Sequence, residues 1–177
     1  MRVTRNTNVH RFERSIAGIL PCLRSGGLRS GSRVRVRLRV NQVKAVDEDL
    51  LPIAHAPRHA RNIVTDACAR WDLVHLLGPA TLIISELVSN VIDHAHTFMT
   101  VHVAVHGSCL YLSVLDGSGT PPVLRRGNSP STLGGRGLHL VAAVSSAWGY
   151  IAEDSGKTVW ATLALDPSDG TNGAYSR

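Results

Sequence analysis

Aromatic residues are scarce, at only 5% of the 177-residue chain. A core built from this sequence is therefore aliphatic. Long apolar runs are also missing: no uninterrupted stretch of about 18 apolar residues occurs, which argues against a spanning helix. The cysteines Cys22, Cys68 and Cys109 are odd in number, far apart and form no CxxC pair. Neither a disulfide scaffold nor a cysteine zinc site is expected, and the three read as reduced thiols of a cytoplasmic protein. Nine histidines include His55 with His59 and His102 with His106, each pair four apart. No HExxH occurs and no cysteine joins either pair at zinc spacing, so solvated histidines are expected rather than a metal centre. A GxxxxGK[ST] phosphate loop is absent too.

Apolar residues make up 44% of the chain, enough for the core of one domain. The formal charge of +6 is uneven. Residues 1–40 hold ten arginines against one acid, Glu13, a net of +9; the rest holds nine Lys or Arg against twelve acids, a net of −3. The alternation Arg33-Val34-Arg35-Val36-Arg37-Leu38-Arg39-Val40 would suit a strand with one cationic face, or an arm seeking phosphate or an acidic partner. The leader has almost no aromatics to stack on bases, so the plainer reading is a poorly ordered extension or a translation start set too far upstream. A signal peptide fits less well, because the short apolar stretch 16–23 is broken by Gly18 and Pro21. The division expected is a basic leader over 1–45, a folded domain over 46–166 and a polar tail over 167–177.

Within the domain, Ala60, Ile63, Val64, Ala67, Cys68 and Trp71 recur at helical spacing, predicting a helix over 57–71 with Pro57 in its first turn. A second helix is expected over 79–95, with Ile83, Ile84, Leu87, Val88 and Val91 buried. Alternation of Val101, Val103 and Val105, then of Leu110, Leu112 and Val114, across the turn signal Gly107-Ser108 predicts a hairpin. The Gly/Pro/Ser/Arg-rich stretch 117–137 reads as a loop. A helix over 138–147 and strands over 148–152 and 158–165 follow, with a further strand possible at 50–53. The order predicts a two-layer α/β sandwich: a mixed, mostly antiparallel sheet with helices on one face.

Four segments carry polar groups that a core does not need. Glu86, Asn90 and His94 align one turn apart beside an apolar stripe. A carboxylate and a carboxamide so placed can accept a proton and offer a neutral oxygen to Mg²⁺, although such pairs also occur as ordinary surface residues. Asp116-Gly117-Ser118-Gly119 ends a strand; the Asp could receive an exocyclic amine, though Asp-Gly is equally a plain turn. Gly134-Gly135-Arg136-Gly137-Leu138 precedes a helix, where free N–H groups can cradle phosphate; the alternative is a hinge. Gly156-Lys157-Thr158 opens the last strand with a hydroxyl that could reach a base edge.

Together, in this order, the segments resemble the Bergerat-type ATP-binding fold shared by histidine-kinase catalytic domains and gyrase. The resemblance is strongest to the small bacterial branch that contains the anti-sigma-factor serine kinases. Ser85-Glu86-Leu87-Val88-Ser89-Asn90-Val91-Ile92-Asp93-His94-Ala95 is similar to that family's N box, 116–119 to its first glycine box, 134–138 to its second, and Gly156-Lys157-Thr158-Val159-Trp160 to its final strand motif. The first helix, from Ala56-Pro57-Arg58-His59-Ala60-Arg61 to Trp71-Asp72-Leu73, resembles that of actinobacterial members. The likeness covers about 46–166 and leaves out the leader.

The resemblance implies a bound ATP with Mg²⁺. Asn90 would ligate the Mg²⁺ and Glu86 would position or deprotonate the attacking group. Asp116, Gly117, Ser118 and Gly119 would hold the adenine, with Thr158 nearby. Gly134, Gly135, Arg136, Gly137 and Leu138 would form the phosphate side beneath a short lid over 120–133. It also implies a serine/threonine protein kinase that phosphorylates a small anti-sigma antagonist and sequesters a sigma factor, as a possible homodimer. Two other classes stay open: a catalytically weak adaptor of the same fold, and a nucleic-acid binder acting through the arginine-rich leader. A sensor histidine kinase fits poorly, since there is no membrane segment and no room for a phosphoacceptor hairpin.

Overall fold

A computed structural model of the chain describes residues 44–122 and 137–166. All of these belong to one compact unit, Gln42–Arg177. Its elements are strand β1 (Ala45–Leu50), helix α1 (Ala56–Trp71), helix α2 (Leu77–Asn90), strands β2 (Met99–His106) and β3 (Cys109–Asp116), helix α3 (Gly137–Val144), and strands β4 (Ala147–Glu153) and β5 (Gly156–Ala164). A short 3₁₀ turn, Val74–Leu76, leads into α2, and a π-helical turn, Val91–Ala95, leads out of it.

The strands form a single sheet in the order β1-β2-β3-β5-β4. Every hydrogen-bonded pair is antiparallel, so the sheet is antiparallel throughout where the sequence allowed a mixed one. β4 reaches its edge position through α3 and among the described residues pairs only with β5, which returns to lie between β3 and β4.

Strand alternation sorts side chains onto two faces. Met99, Val101 and Val103 of β2, Leu110, Leu112 and Val114 of β3, and Val159, Ala161 and Leu163 of β5 share one face and join the apolar core with the helices. From the helices come Ala60, Ile63, Val64, Ala67 and Cys68 of α1, then Ala80, Ile83, Ile84, Leu87 and Val88 of α2, then Leu138 and Val141 of α3. Helix α2 is the central member, packed against α1, α3, β3 and β5. By length and composition alone, Val74–Ala95 would pass for a membrane span, against the expectation from the sequence. Here it is the core helix: one stripe is buried in the domain and the next row carries Ser85, Glu86, Ser89 and Asn90.

Differences from expectation have local causes. The first strand lies at Ala45–Leu50 rather than 50–53. Its run Asp47-Glu48-Asp49 hides a strand whose acids are all engaged. Glu48 meets His59 of α1 at 2.7 Å, while Asp47 and Asp49 pair with their register partners His102 and Thr100 at 2.6 and 2.7 Å. Acids on an edge strand also discourage further strand addition. The second helix ends its α-helical bonding at Asn90, and the last turn widens. Finally, Cys68 is free and buried, whereas Cys109 is disulfide-bonded and so is not the reduced thiol expected of it. Burial pushes the Cys68 thiol pKa above its usual value.

Candidate functional site

The first glycine-rich segment meets the chain just beyond α2, and Gly137 meets α2 itself. From one side, the chain leaving β3 turns at Gly117, whose N–H donates to Thr97 Oγ1 at 3.0 Å, just past the π-helical turn. From the other side, Gly137 opens α3 directly against Glu86: a Cβ at Gly137 would stand 2.5 Å from Glu86 Oε2. With a larger residue at 137 the Glu86 carboxylate would have to swing away from the helix start. Glu86, half-buried, is thereby placed at the first turn of α3.

One turn along α2 sits Asn90. Its buried amide nitrogen has no hydrogen-bond partner among the described residues. An orphaned buried amide is costly, and a ligand is one way to satisfy it. Half a rotation of the carboxamide presents its oxygen instead, the neutral donor that a Mg²⁺ ion accepts. His94, which an unbroken α-helix would align with these two, falls in the π-helical turn and is exposed.

At the end of β3, Asp116 is 3% exposed. Its Oδ1 accepts two hydrogen bonds, from the Ser118 backbone N–H at 2.8 Å and from Lys157 Nζ at 2.9 Å. The first makes a tight Asx turn that fixes the start of the loop. Lys157 also donates to the Ser118 carbonyl at 3.2 Å. Asp116 and Lys157 are register partners on β3 and β5, so their side chains share the helix-facing side of the sheet. Gly156 has a φ of 155°, and a Cβ there would collide with the Asp116 carbonyl. This close approach locks the first residues of β5 onto the last residue of β3.

Of the residues expected at the site, the structure brings Glu86, Asn90 and Gly137 together at α2, and Asp116, Gly117 and Ser118 at the end of β3. Leu138 is buried as part of the core, and Gly119 is exposed, with nothing among the described residues within 4 Å of where its Cβ would stand. Gly134, Gly135 and Arg136 lie outside the described residues. Thr158 is not brought to Asp116. It pairs with Leu115, so its side chain lies on the opposite face of the sheet, where its hydroxyl donates to Glu153 Oε1 at 2.6 Å. The residue that does reach Asp116 is its neighbour Lys157, which sequence reasoning passed over. Strand parity was the available signal: Lys157 alternates with Val159 and Ala161, as Asp116 does with Leu112 and Val114.

Two of the histidines are tied to acids of β1. His102 Nδ1 pairs with Asp47, His59 Nε2 with Glu48, and among the described residues no cluster of three or more His, Cys, Asp or Glu is placed to hold a metal ion.

An antiparallel five-stranded sheet with helices on one face is consistent with the histidine-kinase-like, Bergerat type of fold. No protein-family model and no curated protein matches the sequence. Among solved structures, the chain is similar to the RsbU and RsbW domains of Rv1364c from Mycobacterium tuberculosis, with a TM-score of 0.52 and 20% identity. That match covers 68% of this chain and 32% of the other, so the chain spans about a third of that protein's length.

Proposed function

We propose that this chain binds Mg-ATP between α2 and the end of β3 and works as an anti-sigma-factor-type regulator in the cytoplasm. Its activity would be that of a serine/threonine protein kinase acting on a small antagonist protein, with a sigma factor as the sequestered partner. The observation that carries the reading is the orphaned amide of Asn90, one turn from a Glu86 carboxylate held against Gly137. Likeness in fold to a structure that contains an RsbW domain, an anti-sigma-factor serine kinase, supports the regulatory class.

The residues present fit the group. Asn90 would hold Mg²⁺ through its carboxamide oxygen, and Asp116 would receive the adenine amine. The ion would neutralise phosphate charge, which is most of what phosphoryl transfer asks of a site. Glu86 is the group available to orient an incoming hydroxyl and accept its proton.

The test is calorimetric titration of ATP into the full chain, with and without Mg²⁺, beside Asn90→Ala. Binding that requires both Mg²⁺ and Asn90 is the expected result. A folded protein that binds no ATP at millimolar concentration overturns it and leaves an adaptor of the same fold as the reading to pursue by partner capture.

A further inference from the structure

We propose that Lys157 is a base-reading residue: its ammonium group donates a hydrogen bond to the ring nitrogen of adenine beside the exocyclic amine that Asp116 receives. This rests on the ATP-binding reading above and adds a specificity determinant to it.

The argument begins with an anomaly of placement. Along the helix-facing side of β5 the sequence runs Lys157, Val159, Ala161, Leu163, so a cation opens an aliphatic row. Lys157 is only 8% exposed. A lysine so desolvated must be paired, and the Asp116 carboxylate pairs it. Pairing alone does not use up either partner. An ammonium has three N–H donors; among the described residues two are met, by Asp116 Oδ1 and by the Ser118 carbonyl. On the carboxylate, Oδ1 already takes two hydrogen bonds, while Oδ2 has no partner among the described residues. What is left is one acceptor on Asp116 and one donor on Lys157, on groups 2.9 Å apart at a strand end where the Gly156 backbone is pressed against the Asp116 carbonyl.

A purine edge supplies the complement. Adenine offers an exocyclic N–H donor next to the N1 acceptor, which matches one open acceptor and one open donor. Guanine offers an exocyclic acceptor, then two donors in a row, N1–H and the 2-amino group. Held in the orientation that adenine takes, guanine sets O6 against the open carboxylate oxygen and N1–H against the ammonium, acceptor on acceptor and donor on donor. The pair therefore favours adenine, and Lys157 contributes through N1.

The experiment compares ATP, GTP and 1-deaza-ATP, in which N1 is replaced by C–H, as ligands of the full chain with Mg²⁺. The wild-type chain should bind 1-deaza-ATP and GTP each about tenfold or more weakly than ATP, the loss expected of one charge-assisted hydrogen bond. Lys157→Met should bind ATP about as weakly as wild type binds 1-deaza-ATP, and should no longer tell the two apart. Equal binding of ATP and 1-deaza-ATP by the wild type overturns the role of Lys157 while leaving the nucleotide site standing. So does a folded Lys157→Met that still discriminates them. GTP bound as well as ATP overturns the adenine preference. A wild-type chain that binds no nucleotide overturns the functional reading itself, which is a different result. The analogue comparison on wild type stands even where Lys157→Met fails to fold.

Discussion

On the side of the sheet that meets the helices, β3 and β5 are aliphatic until their shared end, where Asp116 and Lys157 appear together. On the other side, polar and aromatic groups run along the strands: His102, Ser113, Tyr111, Trp160, Thr158 and Thr162 are all buried there. Many of these meet a neighbour on the adjacent strand or one pair away. His102 is bonded to Asp47, Thr100 to Asp49, Thr158 to Glu153, and Tyr111 stacks on Trp160 at 6.4 Å. Polarity distributed in this way is how a sheet stabilises itself across its ladders. Polarity gathered at one end of an apolar layer, with an amide and a carboxylate oxygen left open, is how a ligand site is built. The contrast explains why Thr158 and Lys157, adjacent in sequence, belong to different parts of the molecule.

The largest blow to this arrangement is Gly156→Ala. The added Cβ collides with the Asp116 carbonyl, so β5 must part from β3 at the site end. The expected loss is about 4 kcal/mol, read as a lower denaturation midpoint. A midpoint unchanged from wild type would mean the two strand ends are not in contact. Next is Lys157→Met, which leaves the Asp116 carboxylate buried and uncompensated. About 3 kcal/mol of stability should go, measured by urea unfolding.

Glu86→Gln tests the chemistry with little change of shape. Phosphotransfer to a protein substrate should fall about a hundredfold or more while ATP affinity holds. Undiminished transfer would remove Glu86 from the role of base. On the polar face, burial raises the Tyr111 phenol pKa far above its ordinary 10.0, with Glu153 adding to the shift and a hydrogen bond with Ser113 opposing it. Because the folded value is raised, its contribution is complete below pH 10.0 and is lost as pH rises above that value. Stability should decline by about 1.4 kcal/mol per pH unit there, and Tyr111→Phe should remove that part of the slope. The smallest effect expected is Thr158→Val, about 1 kcal/mol from its hydrogen bond to Glu153, with ATP affinity untouched. An ATP affinity that fell with Thr158→Val would erase the distinction between the two faces.

Periodicity made most of the architecture legible. The stripes of α1 and α2 and the alternation of β2 and β3 come from side chains whose burial decides the element, and these read directly from spacing. β1 lies a few residues ahead of the stretch that spacing favours, because its acids are stabilised by partners distant in sequence, Glu48 by His59 and Asp47 by His102. No local pattern announces such partners. At the site, Glu86, Asn90 and Asp116 were visible as polar residues in apolar company. Lys157 is not, because its meaning depends on the pairing of β3 with β5, which joins residues 41 apart. The widened turn at Val91–Ala95 likewise leaves no mark in the apolar repeat, yet it takes His94 out of the row that Glu86 and Asn90 begin.

A two-residue turn, Asp154-Ser155, joins β4 to β5 and so helps set which β5 residue stands opposite Asp116. An insertion there that slid β5 by one position against β3 would bring Gly156 or Thr158 opposite Asp116 in place of the lysine. It would also turn Val159, Ala161 and Leu163 toward the polar face. The choice of base and the integrity of the core are thus geared to the same short connection. Changes in its length are closed to gradual variation, while changes in the side chain at position 157 remain open to it.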